Sequence, residues 1–111
     1  MFEKDLRITM LLDFYGDILT PKRKAALELY YNDDLSLSEI ADEFGITRQG
    51  AHELIKCAEN DLRSYEAKLG LYERTEKIRS LLASISEQLQ KESVSRNLQE
   101  QIRELADLVS Q

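Results

Sequence analysis

The chain has 111 residues, of which 42% are apolar and 32% charged, with 21 acidic against 15 basic side chains and a formal net charge of -6. This composition is sufficient for one compact core without disulfides or metals, and its acidic balance excludes a basic footprint over the whole domain. The single cysteine, the absence of a signal peptide and the lack of about 18 consecutive apolar residues predict a cytoplasmic protein that does not engage membranes.

Helix is the predicted secondary structure throughout, because only one proline and four glycines interrupt the chain and strand-like alternation is missing. The first predicted helix runs from about Glu3 to Tyr15, and Gly16 is expected to close it as a C-cap glycine. This helix has apolar side chains on two sides, so we expect it to pack between two partners. One side carries Leu6, Met10 and Phe14, and the other carries Ile8, Leu11, Leu12 and Tyr15.

The next three helices are predicted from their capping residues. Thr20 followed by Pro21 predicts the start of a second helix that runs to about Tyr31. Ser36 and Glu39 have the spacing of a capping box, which predicts a short third helix from Leu37 to Phe44. Gly45 is expected to end that helix in a left-handed conformation, and Thr47 to cap a fourth helix that stops at Leu69 and Gly70.

The run from Leu37 to Ile55 has the residue pattern of a helix-turn-helix. Ala41 is small where two helices would cross, and Gly45 supplies the tight turn. The residues expected to bury the second helix of the motif against the first are Ile46, Ala51 and Leu54. We therefore predict an all-α fold with a helix-turn-helix of winged-helix-like type in a domain covering residues 1–70.

The exposed face of the fourth helix is the predicted nucleic-acid site, because its side chains include types that bond base edges or phosphate. Gly50 is expected to let another backbone come close. Glu53 lies among the bases, so the face can equally be read as a solvated surface of mixed charge. The candidate nucleic-acid-binding residues are Arg48, Gln49, His52, Lys56 and Arg63, with a second basic cluster at Lys22, Arg23 and Lys24.

Three stretches resemble the fourth conserved region of bacterial sigma factors: Leu19–Tyr31, Leu35–Ala41 and Gly45–Gln49. With Leu11–Tyr15 ahead and Leu62–Leu71 behind, the chain more closely resembles the YlxM family over about residues 5 to 90. That resemblance implies an all-helical regulatory protein without enzyme activity. It also implies a link to the signal recognition particle pathway, because genes of this family neighbour those of the particle's GTPases.

Three functions follow as hypotheses from the motif and the resemblance. The first is an accessory factor that binds the protein or RNA of the signal recognition particle. The second is a DNA-binding transcriptional regulator, and the third is a protein-interaction module whose helix-turn-helix does not bind nucleic acid. The acidic total favours the first and third, since a partner can itself be basic.

Catalytic, cofactor and metal sites are not predicted. His52 is the only histidine, and no second and third ligand lie at metal spacing on its helix face. Cys57 is five residues from His52, which a helix turns to another direction, so a catalytic pair is not expected and Cys57 should pack at the border of the apolar stripe. No glycine-rich phosphate loop is present, which excludes a nucleotide hydrolase of that type.

Residues 71–111 are predicted to form a C-terminal amphipathic helical extension with two apolar stripes about half a turn out of phase. Either a hairpin breaks at Lys91–Ser93 with both stripes inward, which the serine-rich sequence favours, or one long helix contacts different bodies on opposite faces. The first stripe is the candidate interface for a homodimer or another partner, and consists of Ile78, Leu81, Leu82, Ile85 and Leu89. The second consists of Val94, Leu98, Ile102, Leu105 and Val109.

Overall fold

A computed structural model describes residues 4–91 and 95–110, and all regular secondary structure in these ranges is helical. The predicted all-α fold is confirmed, whereas the winged-helix-like expectation is wrong, because the described ranges contain no strand to form a wing. The chain divides into two compact units, Met1–Gly70 and Leu71–Gln111. The helices are α1 (Arg7–Tyr15), α2 (Pro21–Leu27), α3 (Leu37–Phe44), α4 (Arg48–Leu69), α5 (Leu71–Lys91) and α6 (Arg96–Ser110).

The helix starts follow from local capping chemistry, as predicted. The Thr20 hydroxyl accepts a hydrogen bond from the backbone N–H of Arg23, and Pro21 occupies the first turn of α2. Ser36 and Glu39 form a reciprocal capping box at the start of α3. These bonds satisfy backbone donors that a helix start otherwise leaves unpaired.

Two further expectations about helix ends have different outcomes. Gly45 ends α3 with φ +65°, as predicted, because a residue without Cβ adopts this left-handed conformation without strain. Gly16 closes α1 at the predicted position, but without the left-handed conformation typical of such a glycine: its φ is -55°, and the chain continues as a 3₁₀ turn over Gly16–Ile18. A Cβ there would lie 3.3 Å from Leu12 Cδ1, so Gly16 serves close packing instead of chain reversal.

The core of the N-terminal unit forms around α4, which packs against α1, α2 and α3. The two-sided packing expected of α1 is wrong, because Leu6 is 76% and Met10 45% exposed. Its start also differs: α1 begins at Arg7, and Glu3 lies outside the described residues. The core side chains without solvent exposure include Ile8, Tyr15, Ala26, Leu27, Ile40, Ala51, Ile55, Ala58 and Leu62.

The second predicted helix changes its hydrogen-bond pattern before it ends. After Leu27 the chain continues as a π-helical segment over Glu28–Asn32. Within this segment the buried Tyr30 and half-buried Tyr31 rings meet edge to face, with centroids 5.2 Å apart. The Tyr31 hydroxyl donates a hydrogen bond to Glu59 Oε2 on α4. The π-helical segment is therefore joined to α4 by a hydrogen bond between two side chains.

Tyr31 is expected to make the protein less stable in alkali. Burial, followed by the bond to Glu59, raises the pKa of the Tyr31 phenol above its usual value. Above about pH 10 the unfolded chain releases the phenolic proton while the folded chain retains it, so the free energy of unfolding decreases. We expect this decrease, measured by urea titration from neutral pH to pH 11, to be smaller in Tyr31→Phe. An equal decrease in parent and variant would contradict the assignment.

The C-terminal unit is a helical hairpin in which α5 and α6 pack against each other. They are antiparallel: Arg79 Nη2 near the start of α5 donates a 3.4 Å hydrogen bond to the carbonyl oxygen of Val109 near the end of α6. Of the two predicted arrangements, the chain thus adopts the hairpin. The predicted break at Lys91–Ser93 lies partly outside the described residues, which do not include residues 92–94. Val94 of the second stripe is also outside them.

The hairpin does not enclose both stripes. Leu82 is the one residue of this unit that is buried in the described ranges, and Leu89 is half-buried. Leu82 lines a groove shared with Ala106 and Ser110, which places it at the contact between the helices. The other three residues of the predicted interface, Ile78, Leu81 and Ile85, remain exposed.

Candidate nucleic-acid interface

The scaffold of the candidate site is the crossing of α3 and α4. Ala41 is 4% exposed and Ala51 fully buried, so small side chains allow close contact between the helices. Thr47 Oγ1 accepts a 2.9 Å hydrogen bond from Gly50 N and fixes the start of α4. Ile46 and Leu54, both expected to be buried, are only half-buried.

Gly50 has a different role from the one expected. A Cβ at this position would lie 3.2 Å from Thr47 Oγ1 and 3.6 Å from Ile46 Cβ. A larger residue would therefore press on the capping hydroxyl within the turn itself, a tight contact that the glycine avoids. The sequence analysis instead expected Gly50 to let another backbone come close, and that reason is not required to explain a glycine at this position.

The first turns of α4 present four of the predicted binding residues on one side of the helix. Arg48, Gln49 and Lys56 are exposed, and His52 is half-buried. At about 100° per residue these four positions span roughly 100° of the helix surface. Glu53 adjoins them: Gln49 Nε2 donates to Glu53 Oε1 at 3.2 Å, and His52 Nδ1 lies 3.9 Å from the same oxygen. The structure therefore brings these residues together as predicted, with one carboxylate beside them.

Arg48 and Lys56 differ from Arg23, Lys24 and Arg63, which are paired with carboxylates. Within the described part of the chain, neither side chain has a hydrogen bond or ion pair. No acidic residue occupies the first turn of α4, so the positive end of the helix dipole is not neutralised there. Lys22, from the second basic cluster, has its Nζ 5.9 Å from the centroid of the Phe44 ring.

Three other predicted binding residues are already engaged by carboxylates. Arg23 Nη1 lies 2.5 Å from Asp61 Oδ2, and Lys24 Nζ lies 2.7 Å from Asp17 Oδ1. Arg63 Nη2 lies 3.2 Å from Asp5 Oδ2, and its Nη1 lies 3.3 Å from Asn60 Oδ1. The hydrogen bond from Lys24 lowers the pKa of Asp17 and, reciprocally, raises the pKa of Lys24. These cations are less available to a phosphate than the sequence suggested.

The exposed surface of α3 carries an acidic patch that is not among the predicted site residues. Glu39, Asp42 and Glu43 line a shallow groove together with Leu35. The backbone N–H and hydroxyl of Ser36 hold the pKa of Glu39 below its usual value, so this carboxylate is charged at neutral pH. The sequence did contain a signal for this patch, because residues spaced i, i+3, i+4 lie on one face of a helix. That face is opposite the buried Leu37, Ile40 and Ala41.

In residues 4–91 and 95–110, no group of three or more His, Cys, Asp or Glu side chains is arranged to hold a metal ion. No helix in the same ranges is both long and apolar enough to cross a bilayer. Cys57 is exposed, which corrects the expectation that it packs at the border of the apolar stripe.

Comparison with known sequences agrees with this geometry. The family model for YlxM / p13-like helix-turn-helix proteins, UPF0122, matches residues 2–105. The chain belongs to the UPF0122 family. The predicted YlxM resemblance is thereby confirmed, and the match extends beyond residues 5 to 90 into the C-terminal hairpin.

Individual relatives match most of the length of this chain. The UPF0122 protein lwe1821 of Listeria welshimeri is 41% identical over 104 residues, covering 94% of this chain and 92% of the relative. The UPF0122 protein GWCH70_1086 of Geobacillus sp. is 39% identical over 109 residues, covering 97% and 99%. The UPF0122 protein EAT1b_2891 of Exiguobacterium sp. is 44% identical over 88 residues, covering 79% and 82%. The first two matches therefore cover nearly all of this chain, including most of the residues of the C-terminal unit.

Proposed function

We propose that this protein is a cytoplasmic regulator without catalytic activity, and that it binds nucleic acid through the first turns of α4. The observation that carries the proposal is the pair of exposed cations Arg48 and Lys56, which lack partners in the described part of the chain. They flank Gln49 and His52 on a helix whose start is fixed by Thr47 and lies at the surface. A helix-turn-helix binds nucleic acid with this part of its second helix.

The expected binding is weak and selective, because the site has few free cations and the whole chain has a net charge of -6. Phosphate neutralisation supplies most of the affinity of ordinary nucleic-acid-binding domains, and here two cations of the α4 face are uncommitted. The ion pair between Arg63 and Asp5 can rearrange, since an exposed pair contributes only about 0–1 kcal/mol. The pair between Arg23 and Asp61 is partly buried and leaves Arg23 less available. The acidic patch on α3 repels phosphates that would otherwise follow the first helix of the motif.

The target we propose is the RNA of the signal recognition particle, or the particle's protein bound to it. The support is the YlxM resemblance, which implies this pathway, together with the limited positive charge of the site. A structured RNA is selected by its shape and by a few contacts, whereas extended duplex DNA rewards a continuous basic surface. DNA binding by a transcriptional regulator is the second outcome that the same experiment measures.

The proposal predicts a localised loss of binding. In Arg48→Ala and Lys56→Ala we expect affinity for signal recognition particle RNA to fall about tenfold or more, because each variant removes a phosphate contact. The slope of log K against log salt should flatten by about 0.7–0.9 per lost contact. Fluorescence anisotropy with this RNA, an unrelated RNA of equal length and a DNA duplex measures both quantities and ranks the three targets.

Lys68→Ala is the matched control for Lys56→Ala. Lys68 is an exposed lysine on the last turn of the same helix, far from the first turns. It should leave affinity and salt dependence unchanged. Equal effects of the two lysine variants would show that binding follows total charge and would refute the site on α4.

The acidic patch on α3 favours a second candidate, a protein-interaction module. Glu39, Asp42 and Glu43 form a groove with the apolar Leu35, which suits a basic segment carrying an apolar side chain. In that case the parent would bind none of the nucleic acids at low salt. Binding of the particle's isolated protein, abolished by Asp42→Asn with Glu43→Gln, would then support this second candidate.

A further inference from the structure

The C-terminal unit is too small and too open to form a core of its own. It spans Leu71–Gln111, and among its described residues Leu82 alone is buried. Units of about 40 residues usually need a disulfide, a metal or association with another chain. The one cysteine of the sequence, Cys57, lies in the other unit, so no disulfide can form within this one.

The exposed aliphatic residues of α5 lie on one side of its contact with α6. Leu82 and Ser86 line the groove between the two helices. At about 100° per residue, Ile78, Leu81 and Ile85 lie roughly 60°, 120° and 80° from the midpoint between Leu82 and Ser86, all rotated in the same sense when α5 is viewed from its N-terminus. Their exposed fractions are 39%, 65% and 41%.

The exposed aliphatic residues of α6 are displaced in the same rotational sense. Ile102 and Ala106 face the groove towards α5. Leu98 and Leu105, which are 41% and 47% exposed, lie roughly 60° and 80° from the midpoint between Ile102 and Ala106 when α6 is viewed from its own N-terminus. Leu108, 64% exposed, lies on the outer side of α6 and does not belong to this set.

These two rows share one broad face of the hairpin. Each row is rotated away from the contact between the helices in the same sense when its helix is viewed from its own N-terminus. Because α5 and α6 are antiparallel, the two rows therefore lie on the same side of the plane that contains both helix axes. We call the surface made of Ile78, Leu81, Ile85, Leu98 and Leu105 the hairpin face. It is the apolar surface that a hairpin without its own core leaves uncovered.

We propose that the hairpin face binds the same face of a second copy of this chain, so that two hairpins form a four-helix bundle. With a rise of 1.5 Å per residue and a width of about 10 Å per helix, the face measures roughly 20 by 22 Å. That is about 450 Å2 in projection, and the ridged accessible surface is larger, near the roughly 600 Å2 per partner of small specific interfaces. A single face that meets its own copy also gives a closed two-fold assembly.

The test is the mass of the full chain in solution. We expect sedimentation at micromolar concentration to give a species of twice 12.9 kDa for the parent. Leu81→Asp should raise the dissociation constant on the order of 100-fold, because two-fold symmetry places the new charge twice in an apolar contact. Leu81 is already mostly exposed in the single chain, so its substitution should leave the helical content unchanged.

Ser80→Asp is the matched control, because it places the same charge on the neighbouring exposed position of α5, away from the hairpin face. This variant should associate like the parent. Leu105→Asp provides a second test from α6 and should also dissociate the dimer. A monomeric parent would refute the proposal, and so would a dimer that survives both Leu81→Asp and Leu105→Asp.

Discussion

Ala41→Glu is expected to abolish the cooperative unfolding transition of the N-terminal unit. Ala41 is 4% exposed on α3, which packs against α4, and Ala51 and Ile55 of α4 are fully buried. The glutamate would bury a carboxylate without a cation, at a cost of several kcal/mol. That cost is comparable with the whole stability of a small domain, about 5–15 kcal/mol. Thermal unfolding followed by circular dichroism measures the loss.

Ser38→Glu is the control, because it adds the same side chain to an exposed position of the same helix. It should change the midpoint of unfolding little. A melt of Ala41→Glu that matches this control would mean that position 41 is exposed and that α3 and α4 do not cross as described. Leu54→Asp should be milder than Ala41→Glu, because Leu54 is only half-buried.

The elements of the helix-turn-helix could be predicted because their signals are local. The reciprocal bonds of Ser36 and Glu39 join residues three apart, and the left-handed Gly45 follows directly from the end of α3. Such features depend on neighbouring residues and not on how distant segments pack. The π-helical segment Glu28–Asn32 has no comparable local signal, since its residues also suit an ordinary helix.

The ionic contacts of the candidate nucleic-acid site could be predicted only in part, for the same reason. Arg48 and Lys56 were identified from helical spacing alone. The engagement of Arg23 by Asp61 joins residues 38 positions apart, and that of Arg63 by Asp5 joins residues 58 apart. Pairings at this separation depend on the packing of α1, α2 and α4, which periodicity does not specify. They change which cations a phosphate can reach.

A buried polar pair inside the N-terminal unit was also missed by the sequence reasoning. Glu66 on α4 belongs by spacing to the apolar stripe, and it is 8% exposed. Its Oε1 accepts a 2.6 Å hydrogen bond from the hydroxyl of the fully buried Tyr15 on α1. Arg7 Nη2 lies 3.9 Å from the other carboxylate oxygen. A carboxylate in the core is tolerated because these groups replace part of its hydration.

Tyr15→Phe is expected to destabilise the protein by about 1.5–3 kcal/mol, the usual contribution of a hydrogen bond to a charged group. The ring is retained, so the loss reflects the hydroxyl and not packing. Urea unfolding measures the change. Tyr65→Phe makes the same chemical change next to Glu66, but within the described residues the Tyr65 hydroxyl donates no hydrogen bond, and its removal should cost little.

The charge of Glu66 is tested by repeating Tyr15→Phe in a Glu66→Gln background. A neutral amide oxygen still accepts a bond from Tyr15, but such a bond contributes only about 0.5–1.5 kcal/mol. The cost of Tyr15→Phe should therefore be smaller in the Glu66→Gln background than in the parent, and the difference is the coupling energy of the pair. If Tyr15→Phe costs the same in both backgrounds, the hydroxyl does not stabilise the Glu66 carboxylate, and the buried charge must be held by other groups near α1.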